Sequence, residues 1–190
     1  MKPTLLAAAL AITASAAFAE PETYALDPSH SQVVFSYNHL GFSTTYGMFS
    51  GFGGEIAFDA EDPANSSVNV SMPITSMLTG WEERFAHFMS PDFFGAADGD
   101  MVTFVSTGID VTGDKTANIT GDLTMNGVTK PVVLATELTQ AAPHPMNGKA
   151  SLGFDATATV LRSDFNVGKY APNVSDEVEI VISLEASKTE

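Results

Sequence analysis

No cysteine occurs at any of the 190 positions. That excludes a disulfide, a thiolate nucleophile, a lipid-acceptor thiol and every cysteine-ligated metal, so stability has to come from the core. Cations are scarce as well, with 8 Lys and Arg against 23 Asp and Glu and a formal charge of −15. A chain with that balance repels phosphate backbones and anionic membrane surfaces, which argues against nucleic acid as a partner. After the first 19 residues no apolar run approaches the roughly 20 positions that a membrane-spanning helix needs, so stable membrane insertion is not expected. The nucleophile elbow Gly-x-Ser-x-Gly, the zincin His-Glu-x-x-His and the EF-hand loop are also missing from the sequence.

The first residues have the form of an export signal. Lys2 supplies a short positive region, Leu5 to Ala17 is apolar, and Ala17-Phe18-Ala19 places small residues at both positions a signal peptidase reads. Met1 to Ala19 is therefore expected to be removed, leaving residues 20–190 as one domain in the periplasm. That length suffices for a single substantial core.

Alternation of apolar and polar residues dominates the rest of the chain. It recurs at Val33-Phe35-Tyr37, Val68-Val70-Met72-Ile74, Val102-Phe104, Ile119-Leu123-Met125, Val132-Leu134, Leu152 to Val160 and Val178 to Leu184, each segment with one apolar face. Turn residues separate these segments. The clearest is Asn126-Gly127, the strongest two-residue hairpin signal. With the glycine-rich segment from Phe42 to Ala60 read as one bent strand or two, the pattern gives about eight antiparallel strands, in a barrel or a sandwich. Gly47, Gly51, Gly53 and Gly54 interrupt that segment as bends do where a sheet curls on itself, which favours an all-β up-and-down barrel.

One stretch breaks the pattern. Thr79-Gly80-Trp81-Glu82 has the form of a capping box, with Trp81, Phe85 and Phe88 on one helical face, Arg84 and His87 on another, and Pro91 as the stop. A short helical insert near residues 79–94 is expected, large enough to cover one end of a barrel.

Catalytic and metal-binding readings are weak. Asp27, Ser29 and His30 are sequence neighbours, whereas triads are assembled from distant segments, so a turn is the better reading. The four histidines are scattered, Met72, Met101 and Met125 fit a core, and the acidic pairs around Asp59 and Asp110 suit ordinary turns. What remains is aromatic bulk: 13 Phe against 4 Tyr, with Phe42, Phe49, Phe52, Phe85, Phe88, Phe93 and Phe94 grouped around glycines and the helix. An eight-stranded barrel either fills with side chains or holds one small ligand, and the residues alone leave both open.

Several motifs resemble one family. Gly121-Asp-Leu-Thr-Met-Asn-Gly-Val-Thr-Lys-Pro131 is similar to the central signature of the YceI-like proteins. Asp27-Pro-Ser-His-Ser31 with Val34-Phe35, His39, Gly41, Gly47 and Phe49 resembles their opening pattern. The segment Arg84-Phe-Ala-His87-Phe-Met-Ser90-Pro-Asp92-Phe93-Phe94 resembles their helical insert, and Arg162-Ser-Asp164-Phe165 with Asp176-Glu-Val178 their closing elements. Three positions depart from the pattern: Phe85 stands where an acid is usual, Gly95 where an aspartate is, and Asn166 where a glycine is.

The resemblance implies a lipocalin-like barrel carrying an isoprenoid lipid or quinone, without catalysis and without a cofactor. The side chains expected around such a ligand are Phe35, Tyr37, His39, Phe42, Phe49 and Phe52 from the first strands; Trp81, Arg84, Phe85, His87, Phe88 and Phe93 from the insert; and Phe104, Phe154 and Arg162 beyond it. The alternatives are a periplasmic metal- or haem-handling protein and a stress-induced barrel with a filled interior. A homodimer is compatible with either.

Overall fold

A computed structural model describes residues 20–189; the expected export signal lies outside the described residues. Ten strand segments make eight staves. The first stave is β1 (Glu22–Leu26) followed by β2 (Gln32–His39), broken at residues 27–31; the second is β3 (Ser43–Phe49) followed by β4 (Gly53–Phe58), broken at residues 50–52. Then come β5 (Ser67–Pro73), β6 (Met101–Val111), β7 (Thr116–Met125), β8 (Val128–Pro143), β9 (Ala150–Leu161) and β10 (Glu177–Lys188). Every neighbouring pair is antiparallel.

The sheet closes on itself because β10 offers its free edge to both halves of the first stave. Ala186 and Lys188 pair with Leu26 and Tyr24 of β1, and residues 179–183 pair with β2. Lys188 Nζ stands 2.6 Å from Glu22 Oε1 across that closing seam. The result is the expected eight-stranded up-and-down barrel with one helix. Closure removes the exposed edges that an open sheet of this length would present.

The hairpin signal forms the turn it specifies. Met125 pairs with Val128, and Asn126 and Gly127 take φ of 51° and 72°, the left-handed values of a type I′ turn. Inward-facing residues then follow the alternation read from the sequence. Val33, Phe35, Phe49, Phe52, Ile56, Leu152 and Val178 form one buried cluster with Tyr24, Leu26 and Met77. Met101 departs from the core reading and is exposed at the start of β6.

The helix α1 spans Glu82–Met89, and the expected capping box is not formed. Gly80 takes φ of 72° and Trp81 remains extended, so Trp81 is the N-cap and Glu82 begins the helix instead of standing three residues into it. The Thr79 hydroxyl donates to Trp81 O at 2.8 Å rather than accepting from the first turn. Glu82 and Glu83 still favour the positive end of the helix dipole. At the other end Ser90 is extended before Pro91, which stops the helix where the sequence indicates.

Candidate functional site

Strand direction gives the barrel two unlike ends. The turns at 59–66, 112–115 and 144–149 lie at one end; the β2–β3 hairpin tip, the insert 74–100, the turn 126–127 and the loop 162–176 surround the other, the mouth. Within the wall lie two adjoining chambers. The inner one, of about 240 Å³, is lined almost wholly by apolar side chains, among them Phe52, Phe58, Phe104, Leu134 and Phe154. The outer one, of about 640 Å³, lies under the insert. Phe49, Met125, Val160 and Ile180 line both, so the chambers meet end to end along the barrel axis.

Empty space here depends on small residues opposite large ones. The tip of the Phe35 ring fills the place that a side chain at Gly47, its cross-strand partner, would take. Phe104 lies over Gly121 in the same way. Each ring is thus held against the wall instead of across the lumen. A β-branched residue at either glycine would drive the ring inward.

The outer chamber gathers most of the candidates named from the sequence: Phe35, Tyr37, His39, Trp81, Arg84, His87, Phe88, Phe93 and Arg162, with Phe49 at the junction. Phe52, Phe104 and Phe154 line the inner chamber. Two candidates belong to neither. Phe42 is 90 % exposed, because Leu40 and Gly41 both take left-handed φ and the resulting turn projects Phe42 outward. Phe85 packs onto the buried cluster instead of facing the space. Trp81 does not press down over the mouth either; it is 58 % exposed, lining the chamber with part of its ring.

The two arginines of the chamber differ in what holds them. Arg162 is satisfied by backbone: Nε donates to Ser175 O at 2.8 Å, Nη1 to Val167 O and Lys169 O at 3.0 and 3.1 Å, and Nη2 to Val174 O at 2.9 Å. Burial pulls its guanidinium below the ordinary value, with Asp176 opposing. Its work is to shape the loop 162–176. In that loop Asn166 takes φ of 59°, a value Asn tolerates better than other side chains, which keeps the turn.

Arg84 donates once, from Nη1 to Thr79 O at 3.0 Å, and its guanidinium carbon lies 5.7 Å from the centroid of the Trp81 ring. Among the described residues no carboxylate lies within ion-pair distance of it. Asp92, an obvious candidate partner by sequence, is held by Lys169 at 2.5 Å, with His87 Nε2 at 3.9 Å. That pair ties the insert to the loop 162–176, and Phe93, His87 and Tyr170 stack beside it with centroids 5.0 to 6.4 Å apart.

Tyr170 is a lining residue that sequence reasoning missed. It sits in an irregular loop with φ of 70°, where no periodicity could mark its direction. Val167, Val174 and Phe94 enter the chamber from similarly irregular backbone. The shared residues Met125, Val160 and Ile180 are legible as inward-facing, but a strand pattern does not tell a filled interior from a hollow one.

Among the described residues no cluster able to hold a metal ion lies in the chambers. Ser29 Oγ and Asp27 Oδ2 both address the same nitrogen of His30, Nδ1, at 3.1 and 2.8 Å. A relay needs the nucleophile and the acid on opposite ring nitrogens, so this is a turn and not a triad. Asp27, His30 and Glu185 are the one cluster among the described residues able to hold a metal ion, and they lie on the outer seam where the first stave breaks.

A closed antiparallel barrel with an apolar lumen defines the class of barrels that bind a hydrophobic ligand. The YceI-like domain profile matches residues 24–186, and the chain belongs to that family. Protein YceI of Escherichia coli O157:H7 is 39 % identical over 188 residues, covering 97 % of each chain. A UPF0312 protein of Ectopseudomonas mendocina (strain ymp) is 41 % identical over 164 residues, covering 85 % of each. Among solved structures, Burkholderia cenocepacia BcnA superposes with a TM-score of 0.75 at 27 % identity, over 84 % of this chain and 98 % of that one. A polyisoprenoid binding domain from Saccharophagus degradans shares the fold, with a TM-score of 0.67 at 13 % identity over 87 % of this chain and 98 % of that one.

Proposed function

We propose that the protein is an exported, non-catalytic carrier that holds the chain of a polyisoprenoid or isoprenoid quinone along the two chambers, with its polar end at the mouth. The observation that carries this reading is the gradient along the axis. A nearly all-apolar inner chamber opens into an outer one that bears Arg84, Arg162, His39, His87 and Glu83. The outer volume of about 640 Å³ lies within the range of about 300–1,000 Å³ usual for ligand sites. Apolar burial gains about 25 cal/mol per Å², which favours transfer of a prenyl chain from water or a partly hydrated interface. That a polyisoprenoid binding domain has the same fold supports the choice of ligand class. Export is supported by Lys2, the apolar run after it and Ala17-Phe18-Ala19.

Organic extraction and native mass spectrometry of protein purified from its own host test the reading. A prenyl lipid or quinone released in about equimolar amount is the expected result. A lipid-free protein, or one carrying haem or a transition metal, overturns it. Amino-terminal sequencing of the secreted form should begin at or near Glu20; full-length protein confined to the cytoplasm rejects export.

A further inference from the structure

Four aromatic side chains are exposed among the described residues, and all four lie at the mouth: Phe42, Tyr46, Trp81 and Tyr170. Leu40 and Leu78, both about half exposed, stand among them. The backbone joins these six into an arc. Leu40 N donates to Asn173 O and His39 bridges to Val174, which sets the β2–β3 tip against the loop that carries Tyr170. Met48 bridges to Leu78, which sets the outer face of β3, with Tyr46, against the chain leading to Trp81. Exposed apolar residues elsewhere are isolated, such as Val133 and Val181 on the barrel wall and Met146 in the turn at the far end. Scattered single residues need no explanation, whereas a continuous rim does.

Charge at the mouth is mixed. Arg84, Lys130, Arg162 and Lys169 stand there with Glu82, Glu83, Asp92, Asp98, Asp100, Asp164 and Asp176, and Lys130 and Lys169 are paired with Asp164 and Asp92. Trp, Tyr and Phe beside charges of both signs match the zwitterionic headgroup and carbonyl layer of a bilayer, where amphipathic rings settle, while the excess of acids disfavours a strongly anionic surface. Trp81 and Tyr170 also line the outer chamber, so the rim is continuous with the opening.

We propose that the mouth docks reversibly on the headgroup layer of a zwitterionic bilayer. Phe42 and Trp81 reach the acyl boundary and the chamber opens onto the leaflet. The surface stands on the rim alone and holds whichever apolar ligand the chambers carry.

Sedimentation of the secreted protein with phosphatidylcholine vesicles tests this, together with emission from Trp81, the only tryptophan in the chain. The expected result is co-sedimentation, a blue shift, and quenching by phosphatidylcholine brominated in its acyl chains. Leu40→Ser and Phe42→Ser should each lower the vesicle affinity by about tenfold, the effect of withdrawing one large apolar group from burial. Met146→Ser, 87 % exposed at the opposite end, should leave it unchanged. Phe42 touches neither chamber, so its replacement should leave the extracted lipid unchanged, and failure of docking can be told from failure of carriage. A wild-type protein that stays in the supernatant overturns the proposal and leaves the rim as a protein-facing surface. Equal sedimentation of Phe42→Ser and wild type, or tighter binding to phosphatidylglycerol than to phosphatidylcholine at low salt, also overturns it.

Discussion

Phe35 and Gly47 face one another across β2 and β3, and the ring of the first occupies the space where the second would carry a Cβ. The glycine is there for room, since the Phe35 ring has to lie against the wall if the lumen is to stay open. Phe35 is buried beside Phe49, with ring centroids 5.6 Å apart, so its escape on one side is blocked.

Gly47→Ala is therefore expected to push the Phe35 ring toward the outer chamber and to destabilise the barrel by about 1–3 kcal/mol, the usual cost of overpacking a filled site. Phe35→Leu in the same molecule should recover most of that loss, because the shorter side chain no longer reaches Gly47. Denaturant unfolding of the two single variants and the double variant measures the coupling. Additive effects would show that the ring and the glycine are independent.

In the inner chamber the same device holds Phe104 over Gly121, and Phe154 lies among apolar neighbours with Phe58 at 6.2 Å. Phe104→Asp or Phe154→Asp places a carboxylate in a lining that is almost wholly apolar, at a cost of several kcal/mol unless the group is neutralised. Both variants should lose bound lipid and melt lower. Native mass spectrometry showing wild-type lipid content in both would mean that the chain of the ligand does not enter this chamber.

The seam offers a pH dependence. The His30 imidazole and the Ser29 hydroxyl and amide, all donating to Asp27, hold its carboxyl down at about 2, while Asp27 raises His30 above its ordinary value. A depressed acid contributes stability that is present above its unfolded value near 4 and is lost as pH falls toward 2. A raised histidine contributes stability that is full below its unfolded value near 6.5 and is lost as pH rises through its folded one. Both contributions coexist between about pH 4 and 6.5. The difference in melting temperature between wild type and His30→Ala should be largest in that window and shrink on either side. A difference independent of pH would show that the pair is held by packing and not by charge.

Much of the barrel is legible in the sequence because a strand with one wet face must alternate, and because Asn126-Gly127 admits almost no other turn. The helix is legible too, but its start is not. A capping box presumes that Gly80 is helical, and Gly80 instead turns left-handed to bring the chain back from Leu78. Phe42 escapes the pattern for a related reason: an aromatic among glycines suggests a pocket, while the tip it occupies is set by the long-range pairing of Leu40 with Asn173. Phe85 shows a further limit. One helical face carries both Phe85 and Phe88 against the buried cluster, yet only Phe88 also lines the outer chamber, and only the barrel beneath it distinguishes them. The hollow interior itself rests on Gly47 and Gly121, whose role appears only once their partners across the sheet are known.

The two arginines of the mouth make opposite predictions. Arg162 directs its donors to four backbone carbonyls of the loop 162–176, so Arg162→Ala leaves those groups without their partner and should lower ligand-free stability strongly, at about 1–3 kcal/mol for each carbonyl that water does not reach. Arg84 makes one such bond and stacks on a half-exposed ring, and it faces the chamber with donors to spare. Its sequence neighbour Glu83 also lines the chamber but is not within ion-pair distance of it. Arg84→Ala should accordingly change ligand-free melting little while weakening lipid binding by about 1.5–3 kcal/mol, the range for a hydrogen bond to a charged group. Arg84→Lys should recover part of the affinity for an anionic headgroup, since charge is kept, and little of it for a carbonyl headgroup that uses the planar fork. Lipid titration and thermal melting of the three variants separate these outcomes. If Arg84→Ala melts early and binds lipid as wild type does, Arg84 holds the turn at Thr79 and the polar end of the ligand lies elsewhere.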